Sequence, residues 1–172
     1  NLEEHFRRLV PIPMTVGNDM NFLTMGCWAQ KHPDAGSLVT LFMGGNGIGG
    51  GMVINGQLWT GASGYCSEVG FLPVYERLNK GSLGLPPAEH ISELYARLIQ
   101  IYAVTVNPHM MVLYRHPLLE GRLDEIRRLC ASYLPSKAIP SIELSYDYQQ
   151  DYEKGLFTVA KSMGQAVSEG GL

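Results

Sequence analysis

Ten of the 29 residues in 43–71, MGGNGIGGGMVINGQLWTGASGYCSEVGF, are glycine, and no other stretch restricts the fold as strongly. Apolar and single polar residues keep fixed offsets inside the run, so it is not low-complexity filler. It grows out of SLVTLFM (37–43), a continuous apolar run of β-branched and aromatic character, as expected for a buried strand. Asn55-Gly56 is a strong hairpin signal, because these residue types tolerate positive φ. The reading is a three-strand β-meander with glycine-rich corners: 37–43, then GIGGGMVING, then QLWTG.

The flanks read as alternating elements. IPMTVGND (12–19) predicts a short strand, followed by a helix over 20–31 that Asn18 or Asp19 caps. Phe22, Leu23, Met25 and Trp28 form the inward side of that helix. Pro86-Pro87 introduces a helix over 87–106, with Ile91, Leu94, Tyr95, Leu98, Ile101 and Tyr102 at helical spacing. A strand over 109–115, a helix over 118–133, a strand over 138–145 and a helix over 150–167 complete the chain. NKGSLGLPP (79–87) is the segment of most flexible composition. A meander followed by βα units implies one α/β domain over 1–172, with a mixed sheet and flanking helices.

Composition removes several classes of function. With 45% apolar and 17% charged residues the chain can build a core, so disorder is excluded. A net charge of -3 without a Lys/Arg cluster gives no footprint for direct nucleic-acid contact. The apolar runs are far shorter than the roughly 18 residues of a membrane span. The opening NLEEHFRRLVP has no apolar signal core, which predicts a cytoplasmic protein, and it lacks an initiator Met, as a fragment of a longer protein would. Cys27, Cys66 and Cys130 are widely spaced, so reduced thiols are expected rather than a disulfide framework or a zinc site.

Three features carry chemistry. Glycines let backbone N–H groups approach an anion closely. Yet GGNGIGGG has no Lys-Ser/Thr after it, and a strand rather than a helix follows, which argues against a P-loop or a dinucleotide fingerprint. Turn geometry is the commoner use of such a cluster. Asp19, beside Asn18, is suited either to general-base work on an alcohol or to capping a helix, and the two roles are compatible. Glu68, among small residues, is suited to accepting sugar hydroxyls, although from the motif alone a solvated loop glutamate is the simpler reading.

Together, VGNDMN and LVTLFMGGNGIGGGMVINGQLWTGASGYCSEVGF resemble the ROK family of repressors, open reading frames and sugar kinases. Its members pair END-x-N with L-x-x-G-T-G-I-G-x-G-I-V-x-N-G-x-L-x-x-G-x-x-G-x-A-G-E-I-G-H. The likeness is dense over 16–70 and looser through VTVNPHMMVLYRHPLL to the last helix. It implies an actin-like, ribonuclease H-like lobe, here the C-terminal lobe without the D-x-G-x-T loop of its partner. It also implies that Asn18, Asp19 and Glu68 bind sugar hydroxyls, with Asp19 as catalytic base. Gly45, Asn46 and Gly47 would stand at a phosphate-contacting loop, with Mg-ATP as the phosphoryl donor if the protein is a kinase. A homodimer is the family's frequent assembly.

The departures fall on the nucleotide and zinc side. Asn46 replaces the usual Thr, Phe71 replaces a His that binds sugar and zinc, and LPVYERLNKGSLGLPP replaces the cysteine-rich zinc element. Arg115-His116 replaces a glycine pair near the adenosine. No zinc is therefore expected. Retained sugar contacts beside eroded nucleotide contacts point more to a sugar-responsive regulator or sensor, its DNA-binding part upstream, than to a glucokinase-like hexose kinase. Asp19 keeps the kinase open.

Overall fold

The computed structural model describes residues 2–10, 12, 14–78 and 86–169. Its elements are α1 (Leu2–Leu9), α2 (Asp19–Lys31), β1 (Ser37–Gly44), β2 (Gly47–Ile54) and β3 (Gln57–Leu58). After them come α3 (Pro73–Leu78), α4 (Ile91–Thr105), β4 (Met110–Tyr114), α5 (Leu123–Tyr133), β5 (Ser141–Ser145) and α6 (Tyr148–Glu169). The strands form one sheet in the order β3-β2-β1-β4-β5. β1, β2 and β3 pair antiparallel as the expected meander, while β1-β4 and β4-β5 are parallel, so the sheet is mixed. Asn55 and Gly56 at φ 50° and 75° make the β2-β3 turn, both residues left-handed as a type I′ turn requires.

Period-two alternation divides the strands between two cores. Val39, Leu41 and Met43 of β1 face the same core as Met111 and Leu113 of β4, where α4 and α5 cover them with Leu94, Leu98 and Ile126. Leu38, Val112 and Tyr114 turn the other way and pack on Met20, Leu23 and Cys27 of α2. Burial pushes the Cys27 thiol up to about 12 and the Cys130 thiol to about 11, so both stay protonated packing groups. All three cysteines are free.

α2 and α6 meet backbone to backbone. A Cβ added at Gly26 would lie 1.7 Å from the Asp151 carbonyl oxygen, and one at Gly155 would lie 1.7 Å from that of Phe22. Beside this crossing the fully buried Asp151 receives Lys31 Nζ at 2.8 Å and the Tyr114 hydroxyl at 2.6 Å, both on Oδ2. α2 also sits close on β2: a Cβ at Gly51 would be 2.0 Å from Thr24 Oγ1.

The structure corrects the sequence reading at several elements. Residues 12 and 14–18 form no strand: they belong to none of the five strands of the sheet. They looked extended because the cap of α2 is extended: Asn18 has φ -70° and ψ 139°. The helix read over 118–133 is two pieces, a 3-10 turn at Pro117–Leu119 and α5, separated by Gly121 at φ 70°. The helix read from 87 begins as a 3-10 turn at Ala88–His90 before α4, and the last strand starts at Ser141. α1 and α3 were not anticipated. Most of the flexible-looking segment, 79–85, lies outside the described residues.

The crossing makes a direct prediction. Gly155→Ala should lower unfolding free energy by roughly 3 kcal/mol, since backbone on α2 has to move. Gly164→Ala in the same helix, where an added Cβ meets nothing within 4 Å, should instead gain up to about 1 kcal/mol of helix propensity. Urea titrations of the two variants read both effects.

Candidate functional site

β1, β4 and β5 run parallel, so their carboxyl ends share one edge of the sheet, the edge at which open α/β sheets place ligands. A cleft of about 310 Å³ opens there, beside the end of β1. Asn18, Asp19, Gly45, Asn46, Gly47 and Glu68 all line it. Three separate segments thus bring every candidate site residue to one concavity: the start of α2, the β1-β2 turn and the loop before α3.

The α2 side is built by capping. Asn18 Oδ1 accepts from the Met20 N–H at 2.8 Å, which makes Asn18 the N-cap. The same N–H also reaches Asp19 Oδ1 at 2.8 Å. Asp19 is exposed in the first helical turn, where the positive end of the helix dipole favours a carboxylate. With its oxygen turned to the helix, the Asn18 amide points Nδ2 at Glu68 Oε1, 3.4 Å away.

The opposite side is the glycine turn. Gly44 and Gly47 form the last pair of the ladder, so Gly45 and Asn46 are a two-residue connection whose amides lie outside it. An added Cβ at Gly45 would meet nothing within 4 Å, and Gly47 has φ 123°. A small, open turn with outward amides fits an anion such as a phosphate.

Sequence reasoning missed the aromatic wall. Phe42 lines the cleft and lies 4.5 Å, centroid to centroid, from Tyr148 at the start of α6. Burial, then the negative charge of Asp19, holds the Tyr148 hydroxyl above its usual value, so Tyr148 lies within electrostatic reach of Asp19. Alternation along β1 signals Phe42's face, on the side of Leu38, but nothing local signals that α6 brings Tyr148 to it.

The nucleotide-side departures hold local structure. Arg115 donates to Glu120 Oε1 from NH2 at 2.7 Å and from Nε at 3.1 Å. The His116 side chain accepts from the Leu118 N–H and caps a 3-10 turn. Phe71 is 77% exposed and lies edge-on to Tyr65. Among the described residues no three His, Cys, Asp or Glu side chains are grouped to hold a metal ion, and Phe71 has no donor atom to offer one.

The ROK family model matches residues 1–86, half of the 172-residue chain. The chain belongs to the ROK family. A glucokinase from Halalkalibacterium halodurans is 30% identical over 73 residues, a match spanning 42% of this ROK chain and 22% of that relative's length. A ROK hexokinase from Thermus thermophilus has a similar structure at TM-score 0.69 and 16% identity, over 94% of this chain and 70% of that one. A ROK family protein from Streptococcus pneumoniae, solved in complex with sucrose, gives 0.67 and 15%, over 95% and 71%. The chain has the actin-like, ribonuclease H-like architecture of these structures, a mixed sheet between two helical layers. No helix among the described residues is long and apolar enough to cross a membrane.

Two measurements test the site's construction. Asn18→Ala should cost about 1 kcal/mol through the lost cap, whereas Asn18→Asp should stay within about 0.5 kcal/mol because aspartate caps equally well. Elemental analysis of the purified chain should find no stoichiometric zinc.

Proposed function

We propose that the cleft binds a sugar and serves, within a ROK-type sugar kinase, as the C-terminal lobe's share of the active site. The observation that carries this reading is the convergence of Asn18, Asp19 and Glu68 with the Gly45–Gly47 turn on one concavity. Hydroxyl-binding groups lie on one side of it and an anion-sized turn on the other, which is the polarity that phosphoryl transfer to an alcohol needs.

In this scheme Asn18 and Glu68, whose polar ends lie 3.4 Å apart, hold neighbouring hydroxyls of the ring. Asp19, seated on the helix terminus, accepts the proton of the hydroxyl under attack. Phe42 gives the C–H face of the ring an apolar surface. The amides of Gly45 and Asn46 face the transferring phosphate, and the Asn46 side chain supplies an amide donor where relatives of the motif carry a hydroxyl. Mg-ATP, when bound, supplies the phosphoryl group and the cationic charge that offsets it. Most of the barrier reduction then comes from positioning, and a complete cleft needs a second lobe to exclude water.

The kinase names among the relatives support this order of preference. So do the side chains at Arg115 and His116, which are engaged with Glu120 and Leu118. The second reading is a sugar-responsive regulator or sensor that keeps the hydroxyl contacts without turnover, dimerises through this lobe and meets DNA through an upstream domain. It draws on the replacements at Asn46 and Phe71.

The full-length gene product separates the two. Under the kinase reading it phosphorylates glucose, mannose or an N-acetyl hexosamine with ATP, and Asp19→Asn lowers kcat by at least about 100-fold with sugar affinity retained. Under the sensor reading it binds sugar with no ATP consumption. A protein whose thermal stability responds to none of these sugars has neither function.

A further inference from the structure

A second concavity lies against the cleft. It measures about 240 Å³ and is bounded by β2, the loop 65–69 and the last turns of α4. Glu68 is a wall of both. The partition beside Glu68 is one loop thick. A Cβ added at Gly50, a cleft residue, would lie 2.9 Å from the Ser67 carbonyl oxygen and 3.2 Å from the Tyr102 hydroxyl, and both of those residues line the second concavity. The loop itself is a tight turn: Ser67 has φ 68°, and its carbonyl accepts from the Val69 N–H at 2.9 Å.

The two concavities differ in chemistry. The cleft presents amides and carboxylates. The second presents the buried Met52 and Val69, with the half-buried Leu72 and Ile101 beside them. Tyr65 lines it and is exposed, and its ring meets the exposed Phe71 edge-on at 6.2 Å between centroids. Single exposed apolar side chains are ordinary on a protein surface. Two in mutual contact beside an apolar concavity, next to a cleft of convergent polar groups, make a place for a ligand. An apolar cavity of roughly 150 Å³ already accepts a benzene ring, so one ring fits here.

We propose that the second concavity is a subsite for an apolar, ring-sized substituent on the sugar, so that the cleft takes an aryl glycoside rather than a free hexose. The proposal rests on the sugar reading given above and names its substrate class. Such a ligand is divided as the protein is, with hydroxyls on one side of a single bridging oxygen and an apolar ring on the other. A hexose with its reacting hydroxyl at Asp19 and its far side at Glu68 sends a substituent past Glu68 to Tyr65. A second sugar ring suits the site less well. Its hydroxyls would face Met52, Val69 and Leu72, and the nearby Thr105 hydroxyl is already bonded to Ile101 O at 2.6 Å. Polar groups left unpaired on binding cost affinity.

Nuclear magnetic resonance titrations of this chain test the proposal. The probes are glucose, mannose and N-acetylglucosamine, their methyl and phenyl glycosides in both anomers, and the disaccharides cellobiose and maltose. For the sugar that perturbs Asn18 and Glu68, one phenyl anomer should bind about tenfold tighter than its methyl counterpart, through the added apolar area it buries. It should also shift the side-chain methyl resonances of Met52 and Leu72, which the free sugar leaves in place. Tyr65→Ala removes an aromatic face, and Thr105→Trp fills the concavity from an exposed position. Each should cut the phenyl preference to about threefold or less.

Equal binding of phenyl and methyl glycosides by the parent chain overturns the proposal and leaves the sugar reading standing. A phenyl preference that survives both substitutions, or that comes without the Met52 and Leu72 shifts, overturns it as well, because the ring then sits elsewhere. If cellobiose or maltose matches the phenyl glycoside and produces the same shifts, the occupant is a sugar ring and the apolar class is wrong. If no sugar or glycoside perturbs Asn18 or Glu68, the sugar reading itself fails and the subsite falls with it.

Discussion

The crossing of α2 and α6 sets the rest of this fold. Both capping side chains of the cleft sit at the start of α2, and where that start lies depends on how closely α2 packs on its neighbours. Two glycines allow backbone contact with α6, and Gly51 allows close seating on β2. Close packing alone leaves a helix free to slide or rotate by a notch. The Lys31–Asp151 pair, with the Tyr114 hydroxyl on the same carboxylate oxygen, removes that freedom. Asp151 is fully buried, so any slide that separated it from Lys31 would leave an uncompensated charge in the core. The ion pair is better understood as fixing register than as adding net stability.

The same closeness explains the glycine run. The run holds an open turn at Gly45–Gly47, for which a phosphate contact is proposed, and a hairpin turn at Asn55-Gly56. Between them Gly50 and Gly51 do neither: they lie inside a strand, one per face, and admit the Ser67 turn on one side and α2 on the other. A run that looks like one motif is three devices in series. Their common property is the missing Cβ, used for conformation at the turns and for proximity in the strand.

Legibility followed the range of the physics. β1, β2 and their hairpin were readable because an apolar run and Asn-Gly are local signals. Strand 12–19 was misread for the same reason: an extended cap and an apolar stretch imitate a strand locally, whereas a strand needs a partner that the local sequence does not show. α1 went unseen because its described side chains face solvent, so no buried stripe imprints on LEEHFRRL. Asn18, Asp19 and Glu68 were found through the motif they share, since no spacing rule links residues 18 and 68. Tyr148 beside Phe42, and Gly26 against Gly155, remained hidden. Each pairing joins distant segments through a packing contact, and neither partner carries a local mark of it.

The three hydroxyl-binding candidates differ in how much folding alone accounts for them. A helix starting at Asp19 wants a cap, and Asn18 provides it; a carboxylate in the first turn is equally ordinary. Glu68 has no such account. It is exposed, it caps nothing by side chain, and its contact with Asn18 at 3.4 Å is too long to stabilise much. Nevertheless the chain holds it beside Ser67 at φ 68° and opens β2 at Gly50 to make room for that turn. A stability-driven sequence would relax Ser67 to glycine or let the loop swing outward. Structure spent on placing a side chain that the fold does not need is the firmest mark of function in this chain, and it falls on Glu68 rather than on the glycine run that first draws the eye.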